Sequence, residues 1–245
     1  MPLFLRHPRL DDIHDWWADQ FGCTAEDLCR PATTCVPDPA LRANVLRIFR
    51  RGDSTLLRMH PSREDEVRAS LGRTAPLRPL TTDELRERLN LPHDAVTLLQ
   101  RVSYLDPWDF EPVAVPEAEL LSADDAAALR QLGDSCTRLE VHLADVRLHH
   151  PVVYGCRAAG MLAAAASFLF EDDLIADVGV LTHPQFRNRG YGRAAVSALC
   201  RWGLEHERVI QYCALPSNRA SLRVADMLGF SEYALEESLH LGGSA

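Results

Sequence analysis

The chain has 245 residues, 47% hydrophobic and 25% charged, the mix of a globular protein long enough for one large domain or two small ones. Its formal net charge of -9 argues against a general nucleic-acid binder, which needs a basic surface to neutralise phosphates, and suits a cationic partner such as an amine. No apolar run approaches the roughly 20 residues that cross a bilayer. Met1 to His7 lacks the apolar core of a signal peptide, so a cytoplasmic protein without membrane attachment is expected. The seven cysteines are odd in number and Cys23, Cys29 and Cys35 do not follow a zinc spacing; reduced thiols and no metal are expected.

In chain order, Asp11 to Phe21 reads as a helix with Ile13, Trp16, Trp17 and Phe21 on one face. Asn44 to Arg50 and Ser54 to Met59 flank Gly52 and predict a hairpin. Ser62 to Leu71 and Thr81 to Leu89 read as helices, the second opened by a capping box of Thr81 and Glu84. The stretch 105–117 holds Pro107, Pro112 and Pro116 without periodicity and reads as a linker or an extended crossover. The expected division is therefore a mixed α/β region over residues 1–110 and a second domain over 111–245.

In the second part, Ser122 caps a helix to Gln131. Val152 to Arg157, Met161 to Phe170 and Leu174 to Leu181 read as strands, Gly190 to His206 as a helix, and Val209 to Leu215 as a strand. Ser217 to Leu228 reads as a helix closed by Gly229, and Glu232 to Leu241 as a last strand. Helices between late strands predict a mixed sheet covered by helices. The Ala163–Ala166 run predicts close packing of a helix on its strand.

The informative stretch is Val178 to Ala194. A strand enters a turn with two glycines one residue apart, Gly190 and Gly192, and the turn opens a helix. Glycines leave backbone N–H groups uncovered, and the first helical turn with its dipole makes an anion site. Arg187, Arg189 and Arg193 add charge. The turn lacks the Gly-Lys-Ser/Thr ending of a P-loop. It also lacks the third glycine and the acidic residue about 20 positions on of a dinucleotide fingerprint.

Arg187-Asn188-Arg189-Gly190-Tyr191-Gly192 fits Gln/Arg-x-x-Gly-x-Gly/Ala, and Asn218 to Phe230 fits a helix beginning Asn-x-x-Ser/Ala and ending Leu-Gly-Phe. Over residues 118–241 the chain thereby resembles the GNAT superfamily of acyl-CoA-dependent N-acetyltransferases. The resemblance implies an α/β fold with a mixed, mostly antiparallel sheet, splayed central strands and flanking helices. It implies acetyl-CoA as acyl donor, with its pyrophosphate on Arg187, Asn188, Arg189, Gly190, Tyr191, Gly192 and Arg193. Its pantetheine arm would run along Val178, Val180 and Leu181; Asn218 would lie near the arm or the thioester and Ser221 would contact the pyrophosphate end or the sulfur side, the alternative for both being a plain helix cap. It further implies direct transfer to a primary amine of a small molecule or protein, and leaves open a homodimer and a degenerate copy of the fold in residues 1–110.

Acyl transfer needs a neutral amine, hence a proton acceptor, and donors for a tetrahedral oxyanion. Asp177, on the strand that the resemblance implies is splayed, is the candidate base, with Asn218 as its catalytic companion. The tyrosine that some family members place on the last helix is replaced by Ala225, which leaves the thiolate without a dedicated acid. The alternatives are a non-catalytic acyl-CoA-binding module and a nucleotide-binding regulatory protein.

Overall fold

A computed structural model describes residues 6–72, 80–92 and 96–241. The chain forms two compact units, Met1–Val102 with Glu232–Ala245, and Ser103–Ser231. The proline-rich stretch 105–117 thus lies inside the second unit, and the last strand returns to the first.

In the first unit, helix α1 (Leu10–Phe21) buries Ile13, Trp17 and Phe21, spaced four apart so that they share one face. Helix α2 (Ala25–Cys29) follows behind a Thr24–Asp27 capping box. Strand β1 (Thr33–Pro37) runs parallel to β3 (Ser54–Met59). Strand β2 (Val45–Arg51) forms the expected antiparallel hairpin with β3. Helices α3 (Glu64–Leu71) and α4 (Thr82–Arg88) complete the unit, and the Thr81–Glu84 capping box is present. Strand β4 (Val96–Leu105) leads into the second unit. Strand β10 (Phe230–His240) pairs with β2 from Arg50↔Leu235 to Val45↔His240. Residues 232–240 therefore belong with the first unit.

The second unit holds β5 (Glu119–Leu120), α5 (Ala126–Asp134), α6 (Arg138–Ala144), β6 (Val153–Ala158), β7 (Met161–Phe170), β8 (Ile175–Thr182), α7 (Tyr191–Glu205), β9 (Val209–Ala214) and α8 (Arg219–Leu228). The strand order is β4-β9-β8-β7-β6-β5. β5 to β8 pair antiparallel, and β8 pairs parallel with β9. This is the mixed, mostly antiparallel sheet that the resemblance implies.

Alternation along the strands separates two cores. Ala166, Phe168, Ala176, Val178, Ile210 and Tyr212 join α7 and α8 residues such as Leu199, Ala225 and Leu228. Ala165 and Leu181 join Leu132 of α5 on the opposite face, with Ala144 of α6 packed alongside. Ala163 to Ala166 are fully buried; their small side chains let helices approach both faces, as expected. Among the described residues, no helix is long and apolar enough to cross a membrane.

Candidate active site

The site is built around an interruption in the sheet. β8 and β9 register at Ile175↔Val209, Ala176↔Ile210 and Asp177↔Gln211. β8 then continues to Thr182 and β9 to Ala214 without further registered pairs between them. On its other edge β8 stays paired with β7 from Phe170↔Ala176 to Ala164↔Thr182. Residues 178–182 thus keep one ladder and turn an open edge toward β9. Backbone groups on such an edge seek an extended partner. Past Gln211, β9 is fastened to α8: the Tyr212 hydroxyl lies 2.9 Å from Ser221 Oγ, and the Tyr212 ring packs on Phe230.

β8 leads into a turn over Pro184–Phe186, where His183 Nδ1 accepts the Gln185 N–H as a turn former. Asn188 and Gly190 both take left-handed backbone, φ 60 and 85, the second at the N-cap of α7. A Cβ on Gly190 would meet nothing nearer than Pro116 Cδ at 3.9 Å, so glycine is required there by conformation and not by space. At Gly192 the requirement is space, since a Cβ would fall 2.6 Å from Thr182 Oγ1. The N-cap glycine supplies no side-chain acceptor, so the first N–H groups of a fifteen-residue helix point out of its end toward any anion placed there.

The arginines divide. Arg187 donates to Thr182 O at 3.3 Å and pairs with Glu140 of α6 at 2.9 Å, which offsets the charge that the sequence suggested for the turn. Arg189 is exposed, its guanidinium 5.9 Å from the Phe186 ring centre. Arg193 reaches Met227 Sδ of α8 at 3.5 Å.

Asp177 stands at the last registered pair, where the strands part. Gln211 Nε2 donates to its Oδ1 at 3.4 Å, and Cys213 supplies a further hydrogen bond. Its residue keeps some exposed surface, but its carboxyl is packed deep. Burial pushes it from 3.8 up to about 7; the negative charge of Glu171 adds to this, while the bonds from Gln211, Cys213 and the Val178 backbone oppose it. A carboxyl in this range changes protonation near neutral pH, as a proton acceptor should.

Val178 and Val180 turn their side chains into the core under α7, and Leu181 into the core on the other face. What these residues can offer a ligand is therefore backbone. Asn218 is the N-cap of α8, its Oδ1 accepting the Ser221 N–H at 3.1 Å. Ala225 is fully buried. Two polar residues went unnoticed in the sequence, Gln211 and Tyr104, whose hydroxyl lies 2.6 Å from Gln211 Oε1. The signal for Gln211 was a single amide in the apolar run Val209 to Ala214, since a buried amide needs partners. Tyr104 carried none.

Residues 117–230 match the sequence model of the Acetyltransferase (GNAT) family. Over 115 residues the chain is 29% identical to aminoglycoside N(6')-acetyltransferase type 1 of Salmonella typhimurium, covering 46% of this chain and 68% of that protein. It is also similar to the structure of an acetyltransferase from the GNAT family from Colwellia psychrerythraea (13% identity, 75% of this chain and 76% of that one, TM-score 0.49). A further similar structure is an aminoglycoside N-acetyltransferase in complex with CoA (21% identity, 48% and 88%, TM-score 0.38).

Proposed function

We propose, from the premise that the C-terminal half of this chain is a GNAT-family acetyltransferase domain, that the protein transfers the acetyl group of acetyl-CoA directly to a primary amine in a ternary complex. The observation that carries this reading is the parting of β8 from β9 after Asp177↔Gln211, beside a helix whose glycine N-cap leaves its N-terminus open. The pantetheine arm pairs with the free edge of Val178, Val180 and Leu181. The pyrophosphate rests on the α7 N-terminus within Arg187, Asn188, Arg189, Gly190, Tyr191, Gly192 and Arg193. Asn218 and Ser221 flank the arm from α8.

Asp177 takes the proton of the incoming ammonium, directly or through water, so that a neutral amine attacks the thioester carbon. Backbone N–H groups near Val180 and Leu181 stabilise the oxyanion that forms. Its collapse breaks the C–S bond and releases the CoA thiolate; the attacking nitrogen, now an amide nitrogen, passes its extra proton through water to the thiolate, which leaves as CoA thiol, since Ala225 offers no acid.

The test is calorimetric titration of the full chain with acetyl-CoA, with ATP and NAD as controls, followed by CoA-thiol release with an amine panel. Kanamycin represents the acceptor class named in the Salmonella relative, beside spermidine and an N-terminal peptide amine. Binding of acetyl-CoA alone with thiol release for one amine supports the proposal; no binding overturns it. Ala225 favours a second reading, an acyl-CoA-binding module without turnover, which binding without thiol release from any amine would support.

A further inference from the structure

Asp177 does not stand alone. Gln211, its registered neighbour on β9, lies between it and Tyr104 of β4, with Gln211 Oε1 2.6 Å from the Tyr104 hydroxyl and Gln211 Nε2 3.4 Å from Asp177 Oδ1. Tyr104 is fully buried and Gln211 nearly so. The bonding capacities fix the sense of this chain. An ionised carboxylate only accepts, so the amide must turn its nitrogen toward Asp177; the amide oxygen, which also only accepts, then faces Tyr104, whose O–H donates.

We propose that Tyr104 is a positioning residue for acetyl transfer: its hydroxyl pins the Gln211 amide so that the amide nitrogen, never the oxygen, faces the Asp177 carboxyl where the strands part. This rests on the reading of Asp177 as proton acceptor. An unpinned amide has two states. With its nitrogen toward Asp177 it favours the carboxylate; turned over, its oxygen accepts a hydrogen bond from the carboxylic acid O–H and favours that form. A base that must be ionised before the amine arrives is helped by the first state and disabled by the second. Tyr104 selects the first because turning the amide would set two N–H donors against the phenol, which then would have to rotate its own proton away.

The other groups that face Asp177 cannot do this. Cys213, two residues along β9, donates a weak S–H bond, and Glu171, beyond the end of β7, acts by charge and favours the acid. Leu169, the registered partner on β7, is apolar. Gln211 is thus the group around Asp177 whose effect changes sign with orientation, and Tyr104 sets that orientation.

The experiment is a carbon-13 titration of Asp177 in the full-length protein with labelled aspartate, its resonance assigned by Asp177→Asn. Tyr104→Phe removes one oxygen and keeps the ring. The expected result is a titration midpoint raised by about one pH unit, with thiol release at pH 6 reduced about tenfold and recovering as pH rises. Gln211→Met should raise the midpoint as well, and adding Tyr104→Phe to it should change nothing more, because the phenol acts through the amide. A wild-type midpoint in Tyr104→Phe, or an equal further shift on the Gln211→Met background, overturns the proposal. Turnover of Asp177→Asn tests the underlying reading separately: if it matches wild type across pH, Asp177 is not the base, whatever Tyr104 does to its titration.

Discussion

Replacing Asp177 with asparagine should make the protein more stable and less active, and the gain should depend on pH. The carboxyl titrates at about 7 in the folded chain against 3.8 ordinarily, with burial as the largest cause. The folded state therefore prefers the protonated form. Below pH 4 both states hold the proton and no penalty exists. Between about pH 4 and 7 the unfolded chain ionises while the folded one resists, so stability falls; above 7 the loss is complete. Three pH units at 1.36 kcal/mol each give up to about 4 kcal/mol, and the part of the residue that remains solvated lowers this toward about 2. Asparagine keeps the shape and an oxygen for Gln211 and carries no charge. Urea unfolding of both proteins from pH 4 to 8 should show curves that converge at pH 4, with Asp177→Asn ahead by about 2 to 4 kcal/mol at pH 8. A stability difference independent of pH, or a variant no more stable at pH 8, would refute the argument that burial holds this carboxyl toward its protonated form.

Other variants probe the remaining parts. Gly190→Asp has room for its Cβ but strains a backbone at φ +85, a cost of about 1 to 2 kcal/mol in stability, and it places a carboxylate at the α7 N-terminus; acetyl-CoA affinity of the folded variant, measured by calorimetry, should fall at least about tenfold. Asn218→Asp keeps an oxygen for the Ser221 N–H, so stability should stay within about 0.5 kcal/mol. If the Asn218 amide also donates to the pantetheine arm, affinity for acetyl-CoA falls about tenfold, and an unchanged affinity leaves Asn218 a helix cap. Gly229→Ala should be severe: φ is +96 and the added Cβ would lie 1.9 Å from Asp109 O. A loss of at least about 3 kcal/mol is expected in thermal unfolding.

The features legible in the sequence were those with local causes. β7 runs from Met161 to Phe170 as read, because ten residues, all apolar but Ser167, between a Gly turn and an acidic turn leave little choice. The caps at Thr81, Ser122 and Gly229 are where their side chains or flexibility require them. The glycine turn before α7 announced itself by spacing. Less legible was β4, Val96–Leu105, whose Gln100, Arg101 and Ser103 dilute its apolar pattern. The pair Tyr104 and Gln211, 107 residues apart in sequence, is brought together by strand order, which no local pattern states. Arg187 illustrates the same limit, since its pairing with Glu140 depends on where α6 packs. The return of residues 232–240 to β2 could not be read from an apolar strand that looks like any other.

That return shapes how the molecule is made. The first unit is discontinuous in sequence: β2 waits for β10, and Leu239 and Leu241 complete a core with Leu46, Ile48, Leu57 and Leu85. During synthesis residues 1–102 therefore leave the ribosome as an incomplete sheet, with one flank of β2 bare and an apolar gap where Leu239 will sit. The intervening residues 103–231 can reach their own structure first. Residues 103–231 need nothing from the rest of the sequence to be contiguous, whereas the amino-terminal unit, although translated earlier, is complete only once residues 232–241 have been made.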